Sequence, residues 1–250
     1  MTLLRINNRI LKKNGIVLAR PIAPPAPYTI RLKFTNGVTP TFSKGTGVQV
    51  SSSPNIWDLT YENGNWYNLL RRQSSLIEVI AANTTGISNM NQMFGNCNNL
   101  TSVPLFDTSN VTNMDGMFNN CSALTTVPLF DTSSATSTVE MFSYCISLTS
   151  IPLFNTSRVT DATSMFRHCR GITTIPLLNT SSVTRMGFMF HDCINVQSGA
   201  LALYQQASTQ ATPPSKHAGA FENCGSNTTT GAAELALIPT DWGGNDGEFG

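Results

Sequence analysis

This chain is short of charge. Asp, Glu, Lys and Arg supply 12% of its 250 residues, about half the usual quarter, and Ser, Thr, Asn and Gly fill the polar positions instead. No run approaches the roughly 18 consecutive apolar residues of a membrane-spanning helix, so membrane insertion is not expected. The first residues, Met1-Thr2-Leu3-Leu4, are broken at once by Arg5-Ile6-Asn7-Asn8-Arg9, which interrupts any signal-peptide apolar region. The histidines are His168, His191 and His217, and none has a Ser, Cys or Asp partner at motif spacing. A phosphate loop, G-x-S-x-G and H-E-x-x-H are all missing. Zinc-type ligands at C-x-x-C spacing are missing too. These absences argue against an enzyme, and no catalytic, cofactor-binding or metal-ligating residue is assigned.

A fixed repeat is present. Met-Phe-x-x-Cys occurs at Met93-Phe94-Cys97, Met117-Phe118-Cys121, Met141-Phe142-Cys145, Met165-Phe166-Cys169 and Met189-Phe190-Cys193, each 24 residues after the last. Between these anchors Pro104-Leu105-Phe106-Asp107-Thr108-Ser109 returns at Pro128, Pro152 and Pro176 with small changes. A period of about 20–29 residues marks units that bury an apolar face only against their neighbours. Val111, Met114, Met117, Phe118 and Cys121 have the spacing of one helical face. Asp107-Thr108-Ser109 offers side-chain oxygens to cap that helix, and Leu124, Val127 and Leu129 supply a short strand. The expected fold class is an α/β repeat, a leucine-rich-repeat-like solenoid of about six 24-residue coils with a small N-terminal β cap and an irregular C-terminal cap.

The repeat text, M-F-x-x-C-x-x-L-T-x-x-P-L-F-D-T-S-x-V-T-x-M, resembles the leucine-rich-repeat-like units of BspA-type bacterial surface proteins, the Mycoplasma and Lactobacillus surface-protein repeat family. The resemblance covers roughly residues 69 to 196. It implies surface-displayed adhesion or binding rather than catalysis.

The chain divides into an arm and Pro-rich linker (1–27), a small β cap (28–68), the repeats (69–196) and a C-terminal cap (197–250). The arm holds Arg5, Arg9, Lys12, Lys13 and Arg20 and no acid, so residues 1–20 carry +5 against −4 for the remainder. Asn14-Gly15 between apolar runs predicts a two-stranded ribbon, and four prolines between 21 and 27 predict a stiff linker. A basic arm on a mildly acidic body suggests electrostatic docking. Nucleic acid is not the expected partner, since the arm lacks interleaved aromatics. Its sequence is also similar to short N-terminal segments of gut-phage structural proteins.

Three further groups are singled out. Cys97, Cys121, Cys145, Cys169 and Cys193 form a structural ladder of small buried thiols, one per unit. Phe106, Phe130, Phe154 and Leu178, with Thr126 and Thr174, form either a repeated binding face or core. Arg158, Arg167, His168, Arg170 and Arg185 break the repeat text within two adjacent units and form a candidate binding patch for an acidic glycan or partner protein. The leading expectation is a non-enzymatic phage virion appendage or decoration protein, head- or tail-fibre-like. Its arm would dock to virion structural proteins, its body would bind a host-surface protein or glycan, and homo-oligomers are compatible with it. It needs no cofactor and sits on the virion surface. The alternatives are a BspA-type adhesin on the bacterial cell surface and an intracellular protein-binding scaffold.

Overall fold

In the computed structural model the described residues are 29–61 and 65–243, with the backbone of Lys12–Lys13 and Ile16–Val17. Strand β1 (Lys12–Lys13) pairs antiparallel with β2 (Ile16–Val17), Lys12 opposite Val17. Arg5, Arg9, Arg20 and the prolines of the linker lie outside the described residues, as do the side chains of Lys12 and Lys13.

The main sheet is four-stranded and antiparallel, in the order β4 (Thr46–Ser52), β5 (Asn55–Thr60), β3 (Thr29–Phe34), β6 (Leu76–Ala82). Alternation sets the two faces of β3. Ile30, Leu32 and Phe34 are buried, while Arg31 and Lys33 point the other way. There Arg31 meets Asp58 on β5 through two bonds of 2.6 Å. Lys33 meets Glu78 on β6 at 3.2 Å. The sheet thus takes its fourth strand from within residues 69–196. That strand is also the joint to the repeats: Val79 N–H donates to Ser102 O and Thr101 N–H to Ile77 O, and Glu78 forms a parallel bridge with Ser102.

The expectation of an α/β leucine-rich-repeat-like solenoid, with a helix and a strand in each of six coils, is overturned. Among the described residues the regular structure is the short β1–β2 pair, this small antiparallel sheet and two short helices, α1 (Ala200–Thr209) and α2 (Thr229–Leu235), with one 3-10 turn at Thr240–Trp242. Both helices follow the repeats, and residues 84–198 contain neither a helix nor a strand longer than an isolated bridge. The expected helical face is instead a chain of tight turns. Met117 N–H donates to Met114 O, Cys121 to Phe118 O and Leu124 to Cys121 O, each three residues back. Alternate N–H groups leave the unit: Met90, Gln92, Phe94 and Asn96 donate to Asn113, Asp115, Met117 and Asn119. A helix would need those donors for itself.

Two residues per unit hold the left-handed conformation that prevents a helix. One column is Asn68, Gln92, Gly116, Glu140, Ser164, Phe188 and Gly219; the other is Arg72, Asn96, Asn120, Tyr144, His168, Asp192 and Asn223, the non-glycine members with φ of 49–67°. Asp107 and Asp131 cap no helix either. Their Oδ1 atoms accept from the backbone of Ser109 and Ser133 two residues on, an Asx turn. The threonine between them bridges units: Thr108 Oγ1 donates to Asp131 O and Thr132 Oγ1 to Asn155 O.

The interior is columnar. Phe94, Phe118, Phe142, Phe166, Phe190 and Phe221 stack with centroids 5.2–6.0 Å apart. Trp66 is fully buried at one end of this core, and Leu203, Phe221 and Trp242 are buried at the other. Residues 216–224 add a further rung after the segment holding α1 loops out. Arg185 bridges Lys216 in parallel, and Asp192 N–H donates to Glu222 O. Buried residues of the sheet, the repeats and the C-terminal helices belong to one core.

Candidate functional site

The cysteine column is structural. All six cysteines are free and buried. Sγ of Cys121, Cys145, Cys169 and Cys193 donates to the carbonyl of the phenylalanine 27 residues back, at 3.0–3.2 Å. Burial pushes the thiols up, Cys97 and Cys145 to about 12, so they are not thiolate nucleophiles at neutral pH.

The proposed phenylalanine face is core. Phe106, Phe130, Phe154 and Leu178 are all buried. The residue before each of them is not: Leu105, Leu129, Leu153 and Leu177 are 65%, 59%, 63% and 55% exposed. The proline before each leucine explains this. Phe130 N–H donates to Pro128 O, Phe154 to Pro152 O and Leu178 to Pro176 O, a three-residue turn with leucine at its apex. A turn apex points outward, so one unit after another presents a leucine. Leu129 and Leu153 line a shallow depression with Asp131 and Asn155.

The five residues of the candidate patch do not act as one. Arg158 is exposed on its own turn. Arg185 holds Asp161, the residue one unit back, at 2.7 Å. Arg167, His168 and Arg170 share the turn just before and after Cys169, and this turn meets the Asp192 carboxylate of the next rung, while Glu222 of the rung beyond is met by His191. His168 Nδ1 lies 3.1 Å from Asp192 Oδ2 and Arg170 Nη2 lies 3.8 Å from it. His191 Nε2 lies 3.3 Å from Glu222 Oε2. Rings wall the corner: Tyr144 stacks on His168 at 4.3 Å, and Phe188 lies edge-on to His191 at 5.6 Å. The Arg167 guanidinium sits 5.8 Å from the Phe188 ring centre.

This corner is half-buried and mixed in charge. Burial pulls the His168 imidazole below its ordinary value, and Arg167, His191 and Arg170 add to that pull. The opposing attraction of Asp192 does not outweigh them. Sequence reasoning misses Asp192, Glu222 and His191 as a group because it weighs each arginine and histidine without its neighbour across the repeat. Adding 24 to 167 and 168 gives His191 and Asp192, and a further 31 gives Glu222 and Asn223.

Residues 67–175 and 148–212 match the family described as "Mycoplasma protein of unknown function, DUF285". Together the two matches span more than half of the chain. It belongs to that family. The matched span holds β6, the turn units from Tyr67 onward and α1, and leaves out strands β1 to β5 and α2. No curated protein matches the chain. No solved structure matches it either. Among the described residues no helix is long and apolar enough to cross a membrane.

Proposed function

We propose that this DUF285-family chain is a non-enzymatic phage virion appendage of fibre-like or decoration type, docked by its basic arm and turning its stacked repeats toward a host-surface protein. The exposed leucine row carries the binding half of this reading. Scattered surface leucines are ordinary, but apolar side chains repeated side by side make a patch of the kind that marks interaction surfaces. Side chains at turn apices of a stacked body are also held in fixed register, which lowers the ordering cost of binding. The asymmetry of charge, +5 in residues 1–20 against −4 elsewhere, supports the docking half, since such an arm is drawn to an acidic assembly surface. The likeness of the repeat text to BspA-type surface proteins supports binding over catalysis.

Two experiments test the two halves. The full chain and a variant lacking residues 1–20 are expressed during phage assembly, and purified particles are probed for each. Co-purification of the full chain alone is expected. Equal recovery of both overturns docking through the arm. Separately, Leu129→Asp with Leu153→Asp is expected to lower binding of the protein to host cells at least tenfold with an unchanged melting temperature; unchanged binding removes the leucine row from the interface.

A second reading has its own support. The family is described from Mycoplasma, and a BspA-type adhesin on a bacterial cell surface fits that description. Recovery of the protein in envelope fractions of uninfected cells, with no particle association, selects this reading.

A further inference from the structure

We propose that His168, His191 and Asp192 form a binding site for one divalent transition-metal ion of the zinc class, built from two neighbouring turns at the corner of the stack. Their ligand atoms all lie within 4.8 Å of one another, and among the described residues they are the grouping of three His, Cys, Asp or Glu side chains that does so. His168 Nδ1 and His191 Nδ1 are 3.1 Å and 3.7 Å from Asp192 Oδ2. Tetrahedral zinc with bonds of about 2.0–2.2 Å holds its ligand atoms about 3.3–3.5 Å apart. These two separations bracket that value, so small side-chain rotations seat the ion and leave a fourth position for water or a partner's group.

The surroundings are those of a built site. Metal-bound histidines normally give their second nitrogen to a carboxylate. Here Glu222 Oε2 is 3.3 Å from His191 Nε2, which fixes the tautomer with the Nδ1 lone pair turned inward. That Nδ1 is buried and has no hydrogen-bond partner, a cost of folding that a bound ion would remove. Asp192 is oriented as well, because its other oxygen, Oδ1, accepts from Asn223 Nδ2 at 2.9 Å. Tyr144 and Phe188 hold the two imidazole rings from the sides. Two imidazoles and one carboxylate suit zinc, cobalt, nickel or copper better than calcium or magnesium, which prefer all-oxygen shells. Arg170 opposes the ion, at 3.8 Å from Asp192 Oδ2. Its side chain is half-exposed and free to swing outward, whereas the three ligand side chains are less than one-fifth exposed.

The site does not depend on where the protein is displayed, and its test needs neither phage nor host. The full chain is freed of metal with a chelator and titrated with Co2+ and then Zn2+. One equivalent of Co2+ is expected to give the visible absorption of a tetrahedral nitrogen–oxygen site, and Zn2+ is expected to abolish it and raise the melting temperature. The informative variants are His168→Asn and Asp192→Asn. Asn already fills that left-handed column at Asn96, Asn120 and Asn223 and tolerates it well, so both should fold. Each should lose the cobalt spectrum and the thermal shift. His191→Ser should do the same, since it copies Ser143, which fills the equivalent position two units back. Glu222→Gln should weaken binding about 10–100-fold. A wild-type chain that takes up no stoichiometric Co2+ overturns the proposal. So does a spectrum that survives in His168→Asn and Asp192→Asn, or one carrying the strong charge-transfer band of thiolate ligation.

Discussion

The sheet and the stacked turns share one core but hold it by different means. In the sheet, β3 finds partners on both sides within a few tens of residues, and alternation alone decides which side chains go inside. In the stack, every second backbone N–H and the repeated side-chain contacts run to a neighbouring unit: N–H to carbonyl, threonine hydroxyl to carbonyl, thiol to carbonyl, ring to ring. A sheet strand is therefore readable from its own residues. A turn unit has no stable conformation to read until its neighbour is in place, which is why local helix propensity misleads there.

Alkali separates the regions most sharply. Strands β3 to β6 contain no cysteine, while the stack buries six. Each folded thiol is pushed above its ordinary value of 9.0, Cys97 and Cys145 to about 12, with burial as the chief cause. A pKa raised by folding means that the folded state holds the proton more tightly. The contribution is complete below pH 9 and is lost as pH climbs toward 12. The urea midpoint should fall steeply from pH 9 to pH 11, and less steeply in Cys121→Ala/Cys145→Ala. Ellman's reagent should find the native thiols unreactive at pH 8. A flat midpoint or prompt labelling would contradict the buried ladder.

The next largest effect is in the ring column. Phe142 lies 5.5 Å from both Phe118 and Phe166 and 5.8 Å from Phe154, and it is fully buried. Phe142→Ala should cost about 3–5 kcal/mol by denaturant unfolding. Each unit is held only by its neighbours, so hydrogen exchange should rise in the units on either side while β3 keeps its protection. Uniform loss across both regions would mean that sheet and stack unfold as a single block.

Much of this was legible in the sequence, but unevenly. The period, the buried Met, Phe and Cys columns and the alternation of Ile30, Leu32 and Phe34 follow from residue spacing alone. The helix did not exist, because Val111, Met114 and Met117 at three-residue spacing satisfy a run of three-residue turns as well as a helix. Glycine would have flagged the left-handed positions, but most units place Gln, Glu, Ser or Phe there. The charged corner stayed hidden for a different reason. Its carboxylates come from rungs 24 and 55 residues beyond Arg167 and His168, and the second step includes the excursion through α1, which no fixed period anticipates.

Glu140 distinguishes helix from turn by the sign of the effect. It is exposed, with φ of 55°. In a helix Glu140→Gly would cost about 1 kcal/mol. In this turn it should stabilise by about 1 kcal/mol, because glycine escapes the left-handed penalty of about 1–2 kcal/mol. The loss of the exposed Asn119–Glu140 contact at 3.2 Å subtracts little. The neighbouring unit already has Gly116 in that place. A lowered melting temperature for Glu140→Gly would reinstate the helix.

The smallest effect belongs to the sheet's outer face. The Arg31–Asp58 pair is bidentate at 2.6 Å, good geometry for an ion pair, and hydrogen bonding to Asp58 raises the Arg31 guanidinium further above neutrality. Yet both side chains are a fifth to a quarter exposed, and water screens them. Asp58→Asn should therefore cost no more than about 1 kcal/mol, and the loss should shrink further in roughly 0.5 M salt, where screening approaches contact distance. The contrast with Phe142 is the test: the sheet's outer face tolerates a lost ion pair because β3 and β5, which carry it, keep their backbone bonds on both sides. A unit of the stack that loses its ring also loses the surface against which its neighbour is ordered. If Asp58→Asn proved as damaging as Phe142→Ala, the sheet would be the weaker region and the stack would depend on it.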